Sequence, residues 1–154
     1  MLIKRVDFET IKPIWETQLW PDRISPVESH SAMTWPGTSK SKHDMAIFNY
    51  PAYHWAVYIN EQIVGVNSGH LTSDTEFRSR GLWVHPDFRR QGIAHTLFVM
   101  LKTQAKNSKA NLIWSIPRET ALPVYTDFGF TTIGQFFKTE TSENNIYAFI
   151  RLEG

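Results

Sequence analysis

Cysteine is absent from the 154 residues, which excludes disulfide frameworks, thiolate zinc sites and every cysteine nucleophile. Only His, Asp and Glu remain as metal ligands, and the six histidines show no H-E-x-x-H or other paired spacing, so no metal is expected. No stretch approaches the roughly 18 consecutive apolar residues of a membrane span, and the opening Met-Leu-Ile-Lys-Arg-Val-Asp lacks the apolar segment of a signal peptide. Together with the missing cysteine, this reads as a cytoplasmic protein. An excess of one charge sign is also missing. Sixteen Lys and Arg against fifteen Asp and Glu leave +1, which argues against whole-surface binding of nucleic acid or anionic membrane. Repeats, low-complexity tracts and Gly/Ser linkers do not occur either, so residues 1–154 read as one domain. The phosphate-loop patterns G-x-x-x-x-G-K-[ST] and G-x-G-x-x-G are missing, and Gly65-Val66-Asn67-Ser68-Gly69 fails the serine-hydrolase G-x-S-x-G by one position.

What is present suffices for a folded core, with 42% apolar, 14% aromatic and 20% charged residues. A short strand near Leu2 to Val6 precedes a helix carrying Ile11, Ile14, Trp15 and Leu19 on one face, for which Thr10 is the expected N-cap and Pro13 falls in the first turn. Pro21 to Asn49 lacks periodicity and reads as a long loop with one short helix. Tyr53–Ile59 and Ile63–Leu71 form a hairpin around Asn60-Glu61-Gln62, and Phe77 to His85 is a further strand closed by Pro86. Ile93, Leu97, Met100, Leu101 and Ala105 predict a helix starting near Gln91-Gly92, followed by a buried strand from Leu112 to Ile116. Ala121, Val124, Tyr125 and Phe128 mark a helix starting near Thr120 and stopped by Gly129. Thr131–Phe137 and Ile146–Leu152 are the last strands. The order implies an α/β fold, a mixed sheet of about seven strands with helices on both faces.

The segment Leu82-Trp83-Val84-His85-Pro86-Asp87-Phe88-Arg89-Arg90-Gln91-Gly92-Ile93-Ala94 runs strand, basic turn and helix start in succession. Unpaired N–H groups and the helix dipole converge there, two arginines add charge, and Gly92 keeps the backbone approachable, which suits an anion such as pyrophosphate. A solvated, incidentally basic turn fits the same residues equally well.

Arg89-Arg90-Gln91-Gly92-Ile93-Ala94 resembles the R/Q-x-x-G-x-G/A pattern of the GNAT superfamily of N-acetyltransferases, behind the apolar-x-Val-x-Pro strand end of Leu82 to Pro86. Tyr125-Thr126-Asp127-Phe128-Gly129-Phe130 is similar to that family's Tyr-x-x-x-Gly-Phe, with Ala121 at the small position four residues earlier. The motifs cover Phe77 to Phe137; before that the likeness is topological. The resemblance implies a mostly antiparallel GNAT-like sheet and acetyl-CoA as cosubstrate. It places the pyrophosphate on the backbone of Arg89, Arg90, Gln91, Gly92, Ile93 and Ala94. The pantetheine arm pairs like a strand with Leu82, Trp83 and Val84, where that strand splays from Leu112–Ile116. A backbone N–H near Val84 polarises the thioester carbonyl, and Tyr125 is the general acid for the departing thiolate. The alternative for Tyr125 is a core aromatic. Where many relatives carry Asn, this chain has Arg118, a candidate for a cofactor phosphate or an acidic substrate.

A base near Val84 must deprotonate the attacking amine, and Glu76 is the candidate, against the simpler reading of a solvated turn carboxylate; a water relay also serves. The acceptor pocket is expected among the N-terminal helix and the Pro21–Asn49 loop. Trp20, Trp35, Tyr50, Tyr53 and Trp55 offer aromatic walls or plain packing, and Arg23, Lys40, Lys42 and His43 suit an acidic substrate or simply solvent. The expected reaction is direct acetyl transfer to a primary amine of a small molecule or peptide, in a monomer or homodimer. A catalytically silent acyl-CoA-binding module is the alternative.

Overall fold

The computed structural model describes residues 1–139, 141 and 143–153. Apolar alternation in the strands assembles one seven-stranded sheet from β1 (Leu2–Arg5), β2 (Ala52–Ile59), β3 (Gln62–Leu71), β4 (Glu76–Val84), β5 (Leu112–Ser115), β6 (Thr131–Lys138) and β7 (Asn144–Arg151). Their order is β1-β2-β3-β4-β5-β7-β6. Every pairing is antiparallel except β4 with β5, which is parallel. The expected mixed, mostly antiparallel sheet is therefore present. Between β2 and β3 the two-residue turn puts Asn60 at φ 48° and Glu61 at φ 67°, as a type I′ hairpin demands.

Helices cover both faces. Helix α2 (Ile93–Asn107) buries Ile93, Leu97, Phe98, Leu101 and Ala105, and packs with Trp55, Val57, Val64 and Phe77 of the sheet. Each fully buried aliphatic side chain of this kind contributes roughly 1.5–3 kcal/mol. Helix α3 (Leu122–Phe128) closes this layer, with Tyr125 and Phe130 against Phe98. Its start is two residues later than expected at Thr120, because a 3-10 turn over Glu119–Ala121 precedes it and Pro123 needs a first-turn position. It ends at Gly129, as expected.

On the opposite face α1 (Phe8–Ile14) packs Ile11, and Trp15 just beyond it, against Ala56 and Val66. Its N-cap is Asp7 rather than the expected Thr10. Pro13 therefore lies inside the helix, and it has no N–H for the Glu9 carbonyl. The chain answers by widening into a π turn over Trp15–Leu19, where Trp20 N–H donates to the Trp15 carbonyl at 2.7 Å. The Pro21–Asn49 segment holds the expected short helix, a 3-10 turn over Met45–Asn49 capped by Asp44. It folds over the same face, where Trp35 joins Leu112 and Trp114 in a separate apolar cluster.

Candidate active site

Strand β4 is paired to β5 only from Glu76 to Arg78, opposite Leu112 to Trp114. Beyond that point the strands fork. Ser115 continues with β7 and its hydroxyl donates to the Ser79 carbonyl at 2.8 Å, spanning the base of the fork. On its other side β4 stays with β3, through Gly65 opposite Val84 and Val66 opposite Trp83. The His85 N–H is spent on the Val64 carbonyl at 2.8 Å, so strand alternation turns the Val84 N–H the other way, toward the fork. Leu82, Trp83 and Val84 are all half-buried on this open edge.

The register shift in β4 occurs beside Gly81, whose φ is +81°. A Cβ there would lie 2.2 Å from the Trp15 ring, and the Gly81 carbonyl accepts the Trp15 Nε1–H at 2.9 Å. The indole thus presses into a notch that only glycine leaves open.

After Val84 the chain makes a 3-10 turn over Pro86–Phe88, capped by His85 Nδ1 accepting from the Asp87 N–H. His85 is half-buried at the rim, and Arg89 Nε donates to the Val84 carbonyl at 3.4 Å. Arg90 and Gly92 both take positive φ, 65° and 79°, on the approach to α2. Among the described residues the N–H groups of Gln91 to His95 have no acceptor, and Thr96 N–H is the first to close a helical bond, onto the Gly92 carbonyl. Arg89, Arg90, Gln91 and Gly92 are exposed; Ile93 is buried and anchors α2 over Gly65, so only its backbone is free for a ligand. Ala94 is half-buried. A Cβ on Gly92 meets nothing within 4 Å, so the protein requires glycine here for its φ alone.

Tyr125 is 5% exposed, with its ring edge-on to Phe98 at 5.0 Å and Phe130 at 5.2 Å. Its hydroxyl reaches Ser115 at the fork. Burial pushes the phenol up to about 12, while the Ser115 hydrogen bond and the nearby Arg78 and Arg118 charges pull the other way. The ring is a core aromatic, and its protonated phenol stands beside Ser115 at the base of the fork. Arg118 is held by Glu143, Nε to carboxylate at 2.9 Å, and its Nη2 is buried with no partner among the described residues.

Glu76 lies at the opposite end of β4 from Val84, eight residues or about 26 Å of strand away. It is buried rather than solvated, and its carboxylate accepts from the Thr38 and Ser73 hydroxyls. The structure thus gives it the work of anchoring the 21–49 loop and does not bring it to the Val84 edge.

A cavity of about 980 Å³ opens between that loop, β4 and the β6–β7 hairpin. Of the five aromatics proposed for an acceptor wall, Trp20 alone lines it. Tyr53 and Trp55 pack under α2, Trp35 covers Trp114, and the Tyr50 hydroxyl donates to Asp74. Arg23, Lys40, Lys42 and His43 all line it. Sequence reasoning missed Arg78 and Arg80, two buried cations in the same wall. Their signal was charge at alternate positions of the Phe77–His85 strand, which puts both side chains on one face.

Among the described residues no cluster of three or more His, Asp or Glu side chains is placed to hold a metal, and no helix is long and apolar enough to cross a membrane. The family model of the acetyltransferase (GNAT) domain matches residues 28–147. No curated protein matches the sequence significantly. Among solved structures, an aminoglycoside 6′-N-acetyltransferase complexed with coenzyme A has a TM-score of 0.67 at 13% identity, covering 100% of this chain and 98% of that one. Ard1 from Thermoplasma volcanium has a TM-score of 0.69 at 17% identity over 99% and 98% of the two chains. The ribosomal-protein-S18-alanine N-acetyltransferase from Escherichia coli gives 0.63 at 15% over 99% and 94%. These likenesses are of fold, whereas the domain match takes in both the forked strand with its glycine-bearing turn and the tyrosine behind it, and the chain belongs to the GNAT acetyltransferase family.

Proposed function

We propose that the protein transfers the acetyl group of acetyl-CoA to a primary amine by direct attack in a ternary complex. The observation that carries this reading is the open edge of β4, with free N–H groups of the α2 start at one end and a protonated phenol at the fork. Acetyl-CoA supplies an activated acyl thioester. The residues fit it: the Gln91 to His95 amides, with Arg89 and Arg90 beside them, form a cationic cradle for a pyrophosphate, and Gly92 leaves the space over it open. Leu82 to Val84 offer an unpaired strand edge to an extended amide-bearing arm.

The Val84 N–H is aimed at the edge where the thioester carbonyl lies, and a single such donor is commonly worth about 3 kcal/mol to the transition state. Tyr125 holds its proton throughout the physiological range and gives it to the leaving sulfur. Its acidity is poor in isolation, but the thiolate it serves has a pKa of only ~8.5, so the proton is shared as charge departs. With no cysteine in the chain, attack by the amine itself needs no thiol-bound intermediate. Deprotonation of the amine falls to water, since Glu76 is remote from the edge.

Calorimetry with acetyl-CoA, beside CoA and ATP, tests the cradle; saturable binding of both CoA species and not of ATP is expected, and no binding of either refutes the reading. A thiol-release assay over small amines, amino acids, aminoglycosides and peptides then separates a transferase from a silent acyl-CoA-binding module, which binds without turnover.

A further inference from the structure

Arg78 and Arg80 stand on the same face of β4, 8% and 4% exposed, in the wall of the 980 Å³ cavity. A buried guanidinium is costly unless its charge is matched. Among the described residues no ion pair involves them, and only Arg80 feels a carboxylate, that of Glu28, at longer range. Among the described residues Arg80 donates once, to the Glu28 backbone carbonyl at 2.7 Å, and Arg78 Nε and Nη1 find no acceptor. Their flat faces are covered, Arg78 by Trp114 at 5.0 Å and Arg80 by Trp15 at 4.9 Å and Trp20 at 5.2 Å. Stacking of this kind leaves the donor-bearing edge for an in-plane partner, the geometry that takes carboxylate or phosphate in a two-point grip. Lys40, Lys42 and His43 line the same space, and no described lining residue is a carboxylate.

Position links this wall to the reaction. Arg78 is the last β4 residue before the fork, next to Ser79, and its charge is felt by Tyr125. Arg80 is two residues, about 7 Å of strand, from Leu82 on the open edge. A small anion seated on the two arginines holds a group several bonds away within reach of that edge.

From these placements we infer that the acceptor is a small anionic amine, one carrying a carboxylate or phosphate that Arg78 and Arg80 grip in the cavity. The inference rests on the acetyl-transfer reading for the reaction and on the arginine pair alone for the charge. It sets this chain apart from an enzyme for polycationic acceptors, since the cavity wall repels them.

The test uses matched pairs at constant ionic strength: glutamate against glutamine, O-phosphoethanolamine against ethanolamine, and an aminoglycoside as polycation. With acetyl-CoA saturating, the anionic member of at least one pair is expected to be favoured in kcat/KM by about ten- to a hundredfold, the range of one or two charged hydrogen bonds. Which pair responds tells carboxylate from phosphate. Arg78→Met should raise KM for the preferred anion by a similar factor, leave acetyl-CoA affinity unchanged, and hold or raise Tm, because it removes an uncompensated charge. Arg78→Lys should recover part of the preference.

Titration of the four small amines against tryptophan fluorescence, with CoA bound so that the pyrophosphate site is filled, reads binding without turnover through Trp114, Trp15 and Trp20. Equal or better turnover of neutral or cationic acceptors overturns the inference and leaves the transferase intact. Preference for an acidic peptide over the small anions overturns it as a small-molecule site. A marked fall of Tm in Arg78→Met also overturns it, by showing a structural partner. If acetyl-CoA does not bind, the transferase reading fails separately, and the same titration of CoA-free protein still decides whether the arginines hold an anion.

Discussion

Gly81 and Gly92 share a backbone conformation, φ +81° and +79°, and differ in what surrounds them, so alanine at each separates a fold requirement from a ligand requirement. An L-residue in this region costs roughly 1–2 kcal/mol, offset by about 0.4–1 kcal/mol through the stiffened unfolded chain. At Gly92 nothing lies within 4 Å of a Cβ, so Gly92→Ala should lower unfolding stability by no more than about 1.6 kcal/mol. At Gly81 the Cβ falls 2.2 to 2.4 Å from three atoms of the Trp15 indole, and Trp15 is fully buried. Overpacking adds roughly 1–3 kcal/mol, and the displaced Trp15 bond to the Gly81 carbonyl about 1 more, for a total of roughly 2–5 kcal/mol. Ligand affinity should divide the other way. Gly92→Ala closes the cradle over the free amides and should weaken acetyl-CoA at least about tenfold, which is about 1.4 kcal/mol, whereas Gly81→Ala should retain affinity at temperatures where it is folded. Urea unfolding followed by tryptophan fluorescence and by circular dichroism gives the first quantity and calorimetry the second. Equal stability losses at the two sites, or loss of acetyl-CoA binding in proportion to stability in both, refute the assignment.

Tyr125→Phe should slow the chemical step on the order of a hundredfold in single turnover with acetyl-CoA affinity intact; an unchanged step removes the acid role. Because burial holds the phenol at about 12, the wild-type rate should show no falling limb near pH 9 that disappears in Tyr125→Phe. Burial also lowers His70 to about 3 and His54 to about 4, against 6.5 in the unfolded chain. Between those values the unfolded state binds more protons, so stability is complete above about pH 6.5 and falls as pH drops, by about 2 kcal/mol at pH 5 from His70 alone. Denaturant midpoints across pH 4.5–7.5 in the wild type and in His70→Gln measure that slope; a flat profile refutes it. Glu76→Ala should cost roughly 1.5–3 kcal/mol by freeing the Thr38 and Ser73 hydroxyls, with acetyl-CoA affinity unchanged; a selective loss of turnover at the original stability returns Glu76 to the reaction.

What was legible in the sequence was local. The α2 face follows from helical periodicity, the β2–β3 hairpin from a short polar gap between β-rich runs, and the unpaired amides before α2 from a strand that runs through a glycine-bearing turn into a helix; the hairpin turn is two residues long rather than the expected three, because Gln62 already pairs with Ile59. The misreadings also have local causes. Thr10 and Asp7 are both good N-caps, and a proline at position 13 fits the first turn of only one of the two helices; the structure takes Asp7 and absorbs Pro13 with a π turn. Glu76 looked like a turn carboxylate because its ligands, Thr38 and Ser73, come in part from a loop whose path no periodicity encodes.

The cavity is the extreme case, since its walls bring the 23–43 loop, alternate residues of β4 and the β6–β7 hairpin into one space. Read singly, Lys40, Lys42 and His43 are a solvated loop, and Arg78 and Arg80 are anomalies in a strand. Brought together they become a wall whose charge the described side chains leave unmatched, and the indole layer that flattens Arg80 is the one that Gly81 admits. The glycine that admits the Trp15 indole therefore also sets the guanidinium on its aromatic bed. For that reason Gly81 variants that fold should lose discrimination between anionic and neutral acceptors while still binding acetyl-CoA, and retained discrimination would show that the indole notch and the anion grip are independent.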